Sequence, residues 1–288
     1  MERFLMSVFD TFVKNHDYLI FVDSDGCVMD TMNIKHYHCF GPCLVMEWDL
    51  EPWAEEILRR WNEINLYQLS RGVSRYRALY MMLAEVNAKY TPVVGLYGLK
   101  RWLEKSSVRT NDELLKAIDA ETDEDSKVCL YKALVWSLAV NESINRLHAE
   151  QKKAFDGAEL ALIKAHGFAD VAVITAANRE AVEEEWGALG LLEHADIVLA
   201  QDAGKTDYCI RRMLEFGYDP QKVMLIGDDP VDSTFARNCG IWFYPILVNW
   251  EEESWEECRQ EALDWLRRGE YGDHQLEKIQ VFIENLGG

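Results

Sequence analysis

From residue 168 to residue 246 the chain reads as strand and helix in strict alternation, and few folds accommodate that order. "DVAVITAAN", "DIVLA", "KVMLIGDD" and "IWFYPIL" read as strands. "REAVEEEWGALGL", "KTDYCIRRMLEFG" and "VDSTFARNCG" read as the helices between them. Such alternation implies a parallel sheet with helical crossovers. An earlier stretch, Tyr18-Leu19-Ile20-Phe21-Val22, is apolar without alternation, as a central parallel strand buried on both faces is. Residues 3 to 15 before it read as a short amphipathic helix. The expected fold class is α/β, a Rossmann-like doubly wound parallel sheet.

Between its first strand and the alternating region the chain changes texture. From about Asn33 to His166 apolar residues recur at three- and four-residue spacing, the pattern of packed helices. The expected organisation is a core of residues 1–31 and 166–288, interrupted by an all-helical insert of residues 32–165. From Asn249 the Trp- and Glu-rich tail reads as a helical extension of that core. A length of 288 residues suits one large domain or two.

Charge narrows the partners. Fifty acidic against 30 basic residues give a formal charge of -20, which argues against nucleic acid or an anionic membrane as a partner. The N-terminal stretch has no secretory pattern and no apolar run is long enough to span a bilayer, so a cytoplasmic location is expected. Seven cysteines without a CxxC pair fit reduced thiols. The oligomeric state has no signature in the sequence.

The strand ends carry the chemistry. Asp23 and Asp25, separated by one residue in extended chain, point the same way, and their repulsion is costly unless a cation or proton lies between them. "DVAVI" ends in Thr175 with Ala176 and Ala177 behind it, and "KVMLI" ends in Gly227 with Asp228, Asp229 and Asp232 following. Lys205 begins a helix between these two strands. Singly each is weak, since an Asp after a strand commonly caps the next helix and a lone Lys is usually a surface group. Together they lie where an open parallel sheet collects ligands.

In this order "DSDGCVMDT", "VITAAN", "GKTD" and "LIGDDPVDSTFARNCGI" resemble the four motifs of the haloacid-dehalogenase superfamily. The resemblance is to its aspartyl-phosphate-forming phosphatases and phosphomutases, which carry a helical cap after the first motif. It implies that Asp23 attacks phosphorus, and that Asp25 protonates the leaving alkoxide and then activates water. It implies Mg2+ held by the Asp23 carboxylate, the Asp25 backbone carbonyl and Asp228. Gly26 would let backbone approach the phosphoryl oxygens, with Thr175 and the Ala176 amide donating to them and Lys205 offsetting their charge. Asp232 stands where the family has either a further metal ligand or an acceptor that holds Lys or water; the second role is the expected one. Asp229 either adds charge to the metal site or caps the following helix. Asp30 reads as a cap or hinge residue, with Thr31 completing the motif. Asn178 is a candidate phosphate contact with a turn role as its alternative.

The insert is less legible. "NIKHYHCFGPC" brings Lys35, His36, His38, Cys39 and Cys43 together, but the spacing matches no standard zinc site, so a first helix of the insert is expected. Arg71, Arg75 and Arg77 surround a Gly-containing turn, and Arg71 and Arg75 are candidates for an anionic group on the substrate, with pairing to acidic helices as the plainer reading. The leading function is a Mg2+-dependent phosphatase acting on a small phosphorylated metabolite. A sugar phosphomutase of the same fold, and a non-catalytic binding module using the Trp-rich tail as a partner surface, are the alternatives. A dehalogenase would not need Asp25 and Asp228, and phosphonate cleavage would require a Schiff-base lysine, for which only Lys35 near the hinge offers itself.

Overall fold

The computed structural model describes residues 7–106 and 108–288. Five parallel strands, β1 (Tyr18–Val22), β2 (Ala169–Ile174), β3 (Ile197–Leu199), β4 (Val223–Gly227) and β5 (Trp242–Pro245), form one sheet in the order β3-β2-β1-β4-β5. The central strand is therefore β1. Val22 pairs with Val173 on one side and with Ile226 on the other. Successive side chains of a strand face opposite sides. Ile20 and Val22 join the apolar cluster that includes Ala161, Val182, Trp186 and Trp255, while Leu19 and Phe21, facing the other way, are equally without exposure. Burial on both faces is why these runs lack alternation. The protein is an α/β fold with a Rossmann-like doubly wound sheet and an inserted helical domain.

Packing divides the described molecule into two compact units, residues 7–31 with 149–288, and residues 32–148. The helix Ala158–His166, which helical texture alone assigns largely to the insert, packs Ala158, Ala161, Leu162 and Ala165 into the sheet's cluster. The insert has its own core of buried aromatic rings: Trp61 meets Trp136 edge-on at 5.9 Å between centroids, and Tyr76 meets Trp102 at 5.1 Å. Such pairs add to the stability that area burial supplies. Over residues 32–47 the chain is helical with a π-type turn at His36–Phe40, where the Trp136 indole donates to the Phe40 carbonyl.

The N-terminal amphipathic helix expected over residues 3 to 15 does not form where the structure describes it; residues 3 to 6 lie outside the described residues. One 3-10 turn, Val8–Asp10, is capped by Ser7, and the chain then runs out of helix. Tertiary contacts override the local pattern. Buried Asp170 accepts from the Asn15 and His16 amides and from the Tyr218 hydroxyl, while Phe12 packs edge-on against Phe216 at 5.1 Å.

In the C-terminal extension, helices Glu251–Glu257, Leu263–Arg268 and Tyr271–Asn285 fold back onto the sheet. Trp255 is fully buried, Trp265 stacks on His274 at 3.7 Å, and Trp250 stays 57% exposed, so two of the three tail tryptophans serve packing rather than an open surface. Among the described residues no helix is long and apolar enough to cross a membrane.

Candidate active site

Asp23 lies one residue beyond β1, and its amide donates to the Ile226 carbonyl of β4 at 3.0 Å. That bond extends the sheet by one rung and aligns the two strand ends. Asp228 lies one residue beyond β4. Asp232 stands in the first turn of the helix Pro230–Cys239, whose N-cap is Asp229, accepting from the Val231 and Asp232 amides at 2.7 and 2.9 Å. Pro230 sits at the helix start, where a missing N–H costs nothing. Through these elements the carboxylates of Asp23, Asp228 and Asp232 each place an oxygen within 4.8 Å of the others.

Three carboxylates so close cannot all stay charged without compensation. Burial, then Asp228 and Asp229, push the Asp23 carboxyl well above the usual range, against a lowering hydrogen bond from the Ser24 amide and a smaller push from Asp25. Burial, then Asp229, Asp23 and Asp228, do the same to Asp232. Asp232 Oδ2 is buried with no hydrogen-bond partner. A small hard cation that takes oxygen ligands answers each of these features, and the residues present fit Mg2+.

A stability prediction follows from the direction of those shifts. A carboxyl whose pKa is raised by folding favours the native state only while protonated, so that contribution is lost as pH rises through the folded value. Metal-free protein is expected to lose stability as pH climbs from the ordinary carboxylate range, roughly pH 4, toward neutrality. Saturating Mg2+ should flatten that slope. Thermal unfolding in chelator and in Mg2+ across a pH series measures it, and identical slopes would deny that the cluster binds the ion.

Asp25 occupies a different environment from the trio. Its Oδ1 accepts from the Thr31 hydroxyl. The loop between them turns at Gly26, with φ at 87°, in the left-handed region that favours glycine. Gly26 N–H donates to the Met29 carbonyl at 2.8 Å, and Val28 and Met29 both donate back to the Ser24 carbonyl. Asp30 is exposed and donates its amide to the Lys153 carbonyl at 2.8 Å, and burial moves its carboxyl above the usual range against the pull of Lys153.

Thr175 follows β2, the neighbour of β1, and is buried; its amide donates to Leu199 at 3.0 Å and its hydroxyl accepts from the Ala177 amide at 3.2 Å. Ala176 is exposed beside it. Asn178 caps the helix Arg179–Ala188 by accepting from the Ala181 amide. Lys205 is exposed and immediately precedes the helix Thr206–Leu214, after Gly204 with φ at 120°.

Within the helical unit, Arg71 donates to the Leu66 carbonyl at 3.0 Å. Arg75 donates to the Ser137 hydroxyl at 3.1 Å and the Asn141 side chain at 2.6 Å, with its guanidinium over the Phe40 ring. Burial lowers the Arg75 pKa. The zinc reading fails on geometry: His36 Nδ1 accepts from the Trp61 indole and stacks on Phe40, and among the described residues only the Asp23, Asp228 and Asp232 group converges as metal ligands do.

Gly227, which the sequence motif contains but gives no role, belongs to the site. A Cβ on Gly227 would lie 2.2 Å from Asp232 Oδ2 and 2.9 Å from its Cβ, so the Asp232 carboxylate packs directly on the Gly227 backbone. A glycine closing a buried strand is the signal that a close approach follows.

A family model described as haloacid dehalogenase-like hydrolase matches residues 98–246, more than half of the chain and inclusive of Thr175, Lys205, Asp228 and Asp232. The protein belongs to the haloacid dehalogenase-like hydrolase family. Among curated proteins none matches the chain. Among solved structures, a haloacid dehalogenase-like family hydrolase of Streptococcus pneumoniae is 12% identical, covering 85% of this chain and 91% of its own with a TM-score of 0.43. A subfamily IA hydrolase of Geobacter sulfurreducens is 15% identical over 82% and 90% of the two chains, with a TM-score of 0.40. A provisionally assigned β-phosphoglucomutase of Thermotoga maritima is 18% identical over 87% and 99%, with a TM-score of 0.42. Likenesses this distant do not bear on activity.

Proposed function

We propose that the protein is a Mg2+-dependent phosphatase that hydrolyses a small phosphorylated metabolite through an aspartyl phosphate on Asp23. The observation that carries this reading is the division of carboxylates at the end of β1: Asp23 converges with Asp228 and Asp232, whereas Asp25, two residues on, is held by the Thr31 hydroxyl. Two carboxyls in unlike environments suit two roles, nucleophile and acid.

Bound among Asp23, Asp228 and Asp232, Mg2+ would neutralise their charge and polarise a phosphoryl oxygen. Asp23 forms a bond to phosphorus as the ester P–O bond breaks, and Asp25 delivers its proton to the departing alkoxide. Asp25, now a carboxylate, takes a proton from the water that attacks the aspartyl phosphate, which frees inorganic phosphate and restores Asp23. The Thr31 hydrogen bond holds Asp25 Oδ1 throughout, so the carboxyl keeps one orientation for both transfers. Thr175, the Ala176 amide and Asn178 are assigned to the phosphoryl oxygens, Gly26 to the close approach of backbone that they need, and Lys205 to the charge that gathers on them. Arg71 and Arg75 are assigned to a second anionic group on the substrate.

Phosphate release by purified protein, across phosphorylated sugars, nucleotides, polyols and hydroxy acids, tests the reading. Mg2+ should support release and a chelator should abolish it. A preference for bisphosphates or phosphorylated carboxylic acids would support the arginine assignment. Mg2+ binding with no release from any ester would defeat the phosphatase reading, and interconversion of sugar phosphates without release would replace it by a phosphomutase.

A further inference from the structure

The loop that carries Asp25 is gripped by two indole N–H groups from distant parts of the chain. Trp186, on the helix Arg179–Ala188, donates to the Ser24 hydroxyl at 2.9 Å, between Asp23 and Asp25. Trp255, in the C-terminal extension, donates to the Cys27 carbonyl at 2.9 Å. Ser24, Cys27, Trp186 and Trp255 are all essentially without solvent exposure, so water cannot replace either donor. A buried carbonyl deprived of its donor is costly, and the loop would open to water or shift to recover a partner.

The extension holds Trp255 in place with its own bonds. The Tyr244 hydroxyl, on β5, donates to the Ser254 carbonyl at 2.8 Å, and the Ser254 hydroxyl accepts from the Leu247 amide at 3.0 Å. Gly157 lets the Trp255 side chain pack close at its root: a Cβ there would stand 3.3 Å from Trp255 Cβ. From Cys27 the constraint passes along the loop through the Val28 and Met29 amides on Ser24 and the Met29 carbonyl, which accepts from the Gly26 and Thr31 amides, to Thr31 and hence to Asp25.

The geometry points to Trp255 and Trp186 as positioning residues for Asp25, and to the C-terminal extension as a working part of the active site. The inference rests on the reading of Asp25 as general acid. It gives the tail a function inside the molecule, in place of a partner surface.

The test compares wild type with Trp255→Phe, which keeps a ring in the pocket and removes the donor. Phenyl phosphate has a more basic leaving group than p-nitrophenyl phosphate and depends more on the acid. In the variant kcat/KM, which reports the step in which the alcohol leaves, should fall about tenfold further on phenyl phosphate than on p-nitrophenyl phosphate, and amide exchange at Val28 and Met29 should speed up about tenfold while Ile20 and Phe21 stay protected. Trp265→Phe, also in the extension, should alter neither ratio. If Trp255→Phe does not fold, Ser24→Ala removes the acceptor of the other grip and should give the same selective loss. Equal losses on both esters, or unchanged exchange in the loop, would overturn the inference. If wild type releases no phosphate from either ester, the phosphatase reading fails on its own, and exchange at Val28 and Met29 alone decides whether the indoles hold the loop.

Discussion

Asp23→Asn is expected to lower phosphate release by at least about a thousandfold while raising the melting temperature of the metal-free protein. The activity loss follows from removing the nucleophile, because a neutral amide cannot form the aspartyl phosphate. The gain in stability follows from electrostatics. Asp23 is enclosed with Asp228 and Asp229 close enough to raise its pKa, so its charge is a burden when no cation is bound. Relief of about 1 kcal/mol would raise the melting temperature by roughly 2 °C for a chain of this length. Mg2+ should stabilise the variant less than wild type, since one anionic ligand is gone. Calorimetry in chelator and in Mg2+, beside the release assay, separates the effects. A variant that kept more than a few hundredths of the activity would remove Asp23 from the nucleophile's role.

What the sequence made legible was whatever depends on neighbours along the chain. The strands declare themselves because residues buried on both faces leave unbroken apolar runs, as in Leu19 to Val22. The carboxylates declare themselves because motif spacing places them at strand ends, whereas Asp229 stands open in the sequence between metal-site charge and helix cap, and only its bonds to the Val231 and Asp232 amides make it the cap. Contacts between distant segments left no such mark. Residues 3 to 15 have helical texture, yet at the end of that stretch Asp170 captures the Asn15 and His16 amides. The Trp186 bond to Ser24 spans 162 residues and the Trp255 bond to Cys27 spans 228, so no local pattern announces either. The join after the insert was hard to place because helix Ala158–His166 resembles the insert's helices in pattern and differs only in what it packs on.

Gly227→Ala shows how much the site depends on one missing side chain. The added methyl would lie 2.2 Å from Asp232 Oδ2 and 2.8 Å from its Cγ, distances at which atoms cannot remain. The usual escape, rotation of a long side chain, does not exist here, because the Asp232 Cβ itself is only 2.9 Å from the new carbon. Either the helix Pro230–Cys239 retreats from β4 or the strand end moves, and β4 is paired on both sides, with β1 and β5. The helix should therefore give way, carrying Asp232 from Asp23 and Asp228. Overpacking of this kind costs about 1–3 kcal/mol. Mg2+ affinity should drop by about a hundredfold, within the 10- to 100-fold range seen when the surroundings of a metal site are disturbed. Adding Asp232→Ala to Gly227→Ala removes the two shortest contacts, so the double variant should recover part of the lost stability without recovering Mg2+ binding. That opposition isolates the packing contact from the loss of a ligand. If Gly227→Ala binds Mg2+ as wild type does, Asp232 is not held against the strand in the way that brings the three carboxylates together.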